Sequence, residues 1–93
     1  MEKHFIWDPV RNRQLLNERG VSFEDVVFYI QKGGLRDLLR FRNPDSHPQQ
    51  LVMVVEIDTY VYLVAYIEED EFYRLQTITP SKQATRQYSG NRI

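Results

Sequence analysis

The sequence contains no cysteine. Disulfide bridges, a thiolate metal site and a cysteine nucleophile are therefore excluded, and the composition fits a reducing compartment. Histidine is scarce as well. His4 and His47 are the only two, too few for a metal-ligand cluster, so no metal and no cofactor is expected. Neither sign of charge is in excess. The 12 Lys and Arg against 13 Asp and Glu leave a net charge of −1, without the basic surplus of a nucleic-acid-binding domain. Long apolar runs are missing. The longest, Leu51 to Val55 and Tyr60 to Ile67, fall far short of the roughly 20 residues that a membrane-spanning helix needs. Met1-Glu2-Lys3-His4-Phe5 also lacks the apolar core of a secretory signal. These absences predict a cytoplasmic protein with no membrane partner. No glycine-rich phosphate loop and no nucleophile–base spacing is visible, which argues against an ordinary metabolic enzyme.

What is present suits one small domain over residues 1–93. Hydrophobic residues at 42% and aromatics at 13% are enough for a packed core in a chain that fits one domain and no more. Residues 89–93 read as a flexible tail. Phe5-Ile6-Trp7 is a short apolar segment, an edge strand or anchor, with Trp7 expected in the core. Asp8-Pro9 follows. Asp accepts the free N–H groups of a first helical turn, and Pro at the first helical position loses no needed bond. A helix is predicted from about Pro9 to Arg19, stopped by Gly20. Ser22-Phe23-Glu24-Asp25 is a near capping box. Phe23, Val26, Val27 and Ile30 give a second helix one buried face, and Gly33-Gly34 ends it. The short connection predicts a helical hairpin.

From Leu35 the apolar period becomes two. Leu35 to Phe41 reads as a strand, and Asn43 to Pro48 as a loop. Leu51 to Ile57 and Tyr60 to Ile67 read as a hairpin around Asp58-Thr59, a turn without the usual Gly. Both faces of the Tyr60 strand are apolar or aromatic, so it is placed centrally. Phe72 to Thr79 is the last strand. A short helix follows through about Tyr88, with Ser81 as its cap. The order β-α-α-β-β-β-β-α segregates strands from helices. It predicts an α+β fold: an antiparallel sheet of four to five strands packed by an N-terminal helical hairpin. The apolar faces beside the Tyr60 strand fit a homodimer or cover by a partner. Tyr60, Tyr62 and Tyr66 share one of them, as core or as a stacking platform.

Charge is unevenly spread. Glu68 to Glu71 form an acidic run, after which Arg74, Lys82, Arg86 and Arg92 appear with no acid among them. This basic quarter is either a solvated face or an anion-facing patch.

Three strings carry a resemblance. Phe5-Ile6-Trp7-Asp8-Pro9, Arg19-Gly20-Val21-Ser22-Phe23-Glu24 and Pro80-Ser81-Lys82-Gln83-Ala84-Thr85-Arg86-Gln87-Tyr88 stand in the order and at the separation found in the BrnT-type toxins of the RelE-like superfamily. The middle, Val54-Val55-Glu56-Ile57-Asp58 with Tyr60-Val61-Tyr62-Leu63-Val64, departs from the commonest form and looks like a branch of uncharacterised members. The resemblance implies a RelE/BrnT-like fold and the toxin role in a bacterial type II toxin–antitoxin pair. It also implies metal-independent RNA cleavage that inhibits translation, on or off the ribosome, and capture by a ribbon-helix-helix antitoxin.

Such cleavage uses the RNA 2′-hydroxyl as nucleophile. The protein must take up a proton, neutralise charge on the phosphate and protonate the leaving oxygen. Lys82 and Arg86, spaced i and i+4, share a helix face, and Arg suits two-point clamping of phosphate. With Tyr88 as proton donor or base stacker they form the expected catalytic set. Ser81, Arg74 and Arg19 are the expected phosphate-binding residues. His47 is a further acid–base candidate. The alternative is a non-catalytic interaction module of the same fold, whose basic face pairs with acids of a ribbon-helix-helix partner.

Overall fold

The computed structural model describes residues 3–43 and 46–88, without the side chains of residues 42, 43 and 46–49. The element order is β1 (His4–Ile6), α1 (Pro9–Arg19), α2 (Phe23–Gln31), β2 (Leu35–Asn43), β3 (Ser46–Ile57), β4 (Tyr60–Glu68), β5 (Phe72–Pro80) and α3 (Lys82–Tyr88). It matches the order expected from the sequence.

Local chemistry sets the helix ends. The Asp8 carboxylate accepts the Val10 N–H at 3.0 Å, and Gly20 closes α1 in the left-handed conformation at φ 71°. Ser22 and Asp25 form a reciprocal capping box. Gly34 follows α2 at a point where only glycine fits: a Cβ there would lie 2.7 Å from the Glu56 carbonyl oxygen and 2.8 Å from that of Tyr29.

The five strands form one sheet in the order β1-β5-β4-β3-β2. β2 to β5 pair antiparallel, as expected. The fully antiparallel sheet is corrected: β1 runs parallel to β5, with His4 opposite Phe72 and Ile6 opposite Arg74, so the sheet is mixed. Helices α1 and α2 separate β1 from the other strands, and a crossover of that length lets the chain enter the far edge in either direction. The loop expected over Asn43 to Pro48 is also shorter than predicted, because Asn43 already pairs with Ser46. Pro48 falls inside β3, on a stretch that pairs with β2 but precedes the first β4 partner at Leu51. A missing N–H is tolerated where one side of a strand is unpaired. The tail expected over 89–93 lies outside the described residues.

The alternation along β3 and β4 divides the interior in two. Met53, Val55, Ile57, Val64 and Tyr66 face α1 and α2, where Leu15, Phe23 and Val26 meet them in the main core. Val54 and Val61 point the other way and are covered by Ala84 and Tyr88 of α3. Trp7 packs its ring 5.7 Å from that of Phe23, anchoring the end of β1. Of the three tyrosines on one face of β4, Tyr66 is buried in the core and Tyr62 packs against it.

β1 covers only Phe72 to Arg74 of β5. Beyond it the outer edge of β5 is met by two arginines of α1. Arg11 donates to the Gln76 carbonyl at 3.4 Å and to Thr77 Oγ1 at 2.9 Å. Arg19 donates to the Ile78 carbonyl at 2.6 Å. Side chains thus supply donors where a neighbouring strand stops, one way of protecting an open sheet edge.

Candidate functional site

Helix α3 holds most of the residues singled out in the sequence, and its seating follows from three hydrogen-bonding side chains. The Ser81 N–H donates to the Val61 carbonyl at 3.0 Å, which joins the end of β5 to the start of β4. Ser81 Oγ then accepts the Ala84 N–H at 3.0 Å as the helix cap. Thr85 Oγ1 donates to the Ser81 carbonyl at 2.7 Å and accepts the Val61 N–H at 2.9 Å. At the far end the Tyr88 hydroxyl donates to Asp37 Oδ2 on β2 at 2.8 Å. Ser81, Ala84, Thr85 and Tyr88 recur at the spacing of one helix face, and that face lies on the sheet.

Lys82 and Arg86 are left on the outside. Both are exposed, and neither has a hydrogen bond or ion pair among the described residues. Two neighbouring cations without a counter-ion form a local positive site that an anion stabilises. The structure therefore brings Ser81, Lys82, Arg86 and Tyr88 together on one short helix. Ser81 Oγ is engaged as the cap, and Tyr88 reaches across to a carboxylate.

The other candidates are placed differently. Arg19 is held at Ile78, on the strand leading into α3. Arg74 sits towards the opposite end of β5, level with Ile6 and Ile67. Its guanidinium makes a two-point contact with Glu69, at 2.9 and 3.2 Å, and this bond holds the Glu69 carboxyl below its usual range. Arg74 is therefore committed to the β4–β5 turn. His47 lies in β3, and its side chain is outside the described residues.

Asp37 is the residue that sequence reasoning missed. Its Oδ1 accepts the Leu38 N–H at 2.8 Å, and its Oδ2 accepts from Tyr88. The hydrogen bond to Asp37 is the main cause that raises the Tyr88 phenol above its ordinary value; desolvation and the Asp37 charge add to it. Tyr88 thus keeps its proton at neutral pH and donates it in a hydrogen bond to Asp37. The one available signal was a lone acid within the apolar and basic string Leu35 to Arg42.

Among the described residues no group of His, Asp or Glu could hold a metal ion, and no helix is long and apolar enough to cross a membrane. A concavity of about 620 Å³ between β1 and α2, walled by Phe5, Trp7, Val27 and Ile30, lies apart from α3. Its lysine, Lys3, is taken up by Glu68 at 2.9 Å and the Glu69 carbonyl at 2.7 Å. No protein-family model, curated protein or solved structure matches the chain.

Proposed function

We propose that this chain is the toxin of a type II toxin–antitoxin pair, with a RelE/BrnT-like fold. In this reading it is a metal-independent ribonuclease that acts in the cytoplasm. The reading rests on the three-part sequence resemblance, and the observation that carries it is the exposed, unpartnered Lys82–Arg86 pair. These two cations hold the scissile phosphate, with Arg86 suited to two-point contact. Arg19, held at the Ile78 carbonyl on the strand that leads into α3, is a further phosphate-binding candidate. Asp37 and Tyr88 form a carboxylate–phenol pair able to exchange a proton with RNA once their mutual bond is broken.

A second reading draws on that same bond. Because the Tyr88 hydroxyl is engaged by Asp37, Tyr88 acts in this state as a strut between α3 and β2. That favours a non-catalytic module whose cations pair with acids of a ribbon-helix-helix partner. One experiment separates the readings. Expression without the partner is expected to arrest growth and to produce discrete cuts in messenger RNA, mapped from 5′ ends. Lys82→Ala with Arg86→Ala is expected to abolish both, while the purified variant keeps its fold by circular dichroism. Arrest and cutting that persist in the folded double variant remove these residues from the mechanism. Absence of both arrest and cutting selects the second reading.

A further inference from the structure

On the α1–α2 side of the sheet, away from α3, the β3–β4 turn meets the α1–α2 junction around a concavity of about 290 Å³. Tyr29, Tyr60 and Tyr62 supply aromatic wall, and Asp25 and Asp58 the charge. Among the described residues, no Lys, Arg or His lines it. The nearest basic residue in sequence, Arg19, is turned onto the Ile78 carbonyl. The Tyr60 and Tyr62 rings meet edge to face at 5.7 Å.

The two carboxylates differ in their commitments. Asp25 Oδ2 accepts the Ser22 N–H in the capping box. Asp58 is exposed and has no partner among the described residues. Both charges reach the Tyr62 phenol, which burial pushes up first, followed by Tyr60 and then by these two acids. Acids and rings therefore converge on one space. Asp58 is held there by the backbone: it and Thr59 occupy the left-handed region, at φ 54° and 72°. For a β-branched residue such as Thr59 this is a true outlier.

We propose that this concavity is a binding site for a guanidinium group. Aromatic faces attract cations through the ring quadrupole. Guanidinium is planar and weakly hydrated, so it stacks on tyrosine while its N–H groups donate to carboxylate. An ammonium ion loses more hydration for the same contact. The volume lies near the lower end for ligand pockets and suits one head group rather than a large ligand. The guanidinium comes either from an arginine of another polypeptide or from a small guanidinium compound. The site is independent of Lys82 and Arg86, so it stands whether or not the chain cuts RNA.

The test is a titration of the ¹⁵N-labelled full chain with three probes: N-acetyl-arginine-N-methylamide, its lysine counterpart, and methylguanidinium. Amide shifts are expected to centre on Gly20, Val21 and the segment from Asp58 to Tyr62. The arginine derivative should bind roughly two- to fivefold tighter than the lysine derivative, the scale of an exposed cation–π contact. Tighter binding of the arginine derivative than of methylguanidinium assigns the site to a polypeptide. Equal or tighter binding of methylguanidinium assigns it to a small compound. Asp58→Asn, which tolerates the left-handed turn, and Tyr60→Leu should each weaken binding. The wild-type pattern of unperturbed amides serves as the check of folding, and Asp58→Asn decides alone if Tyr60→Leu unfolds. Shifts centred elsewhere, no preference for arginine over lysine, or unchanged affinity in Asp58→Asn overturns the proposal.

Discussion

The Tyr88 hydroxyl reports directly on the seat of α3. Its proton is shared with Asp37, so removing it places two negative charges side by side. The phenol is expected to titrate above the ordinary tyrosine value of about 10. In Asp37→Asn that value should fall back towards the ordinary one, as measured by absorbance of tyrosinate at 295 nm with Tyr88→Phe as the assignment control. An unchanged titration would mean that the Asp37 contact does not persist in solution. At this scale the sequence was informative about type and blind to partner. Lys82 and Arg86 were recognisable from spacing alone, because i and i+4 place any two residues on one helix face. Asp37 was not, because its role depends on a tyrosine from the other end of the chain.

Among the elements, α3 is held by side-chain hydrogen bonds of Ser81, Thr85 and Tyr88. It has seven residues, too few for a helix to persist alone, so its attachment decides whether it forms. Thr85 both closes the first turn and satisfies the Val61 N–H. Thr85→Val keeps the shape and deletes both bonds, leaving a part-buried backbone donor unpaired. The expected loss is about 1–3 kcal/mol in urea unfolding, with the largest gain in amide exchange at Val61 and across α3. A loss confined to a few tenths would show that water replaces the hydroxyl. Capping and turn residues made the helices legible in advance, since Asp8-Pro9, Ser22 with Asp25, and Ser81 act on backbone within a few residues. The pairing of β1 was not legible. A strand of three residues carries no mark of direction or of its neighbour.

For the molecule as a whole, ionisation of tyrosine sets an upper limit on the pH of the folded state. Burial is the leading cause that raises both Tyr62 and Tyr66, and Tyr88 is raised as well. A group whose folded value is raised stabilises the fold fully below its unfolded value. That contribution is lost as pH rises through the folded value. Stability is therefore expected to fall progressively above about pH 10, as followed by the urea midpoint across an alkaline series. Tyr66→Phe should make that fall shallower, because it removes one of the three raised phenols. A flat profile through this range would mean that these rings are already open to water. The acid side is milder, since the lowered carboxyls, Glu24 and Glu69, lie at the surface.

The partnership of β1 with β5 also orders events in time. His4 sits beside Phe72, so β1 has no place to lie until β5 is available. During synthesis α1 and α2 can form early from local signals, yet the apolar face they carry stays open until β3, β4 and β5 have emerged. Closing so long a loop is slow compared with local steps. The interval exposes Phe5, Trp7 and Phe23 to other chains, and a nascent chain paused before β5 is the form of this protein most in need of a chaperone.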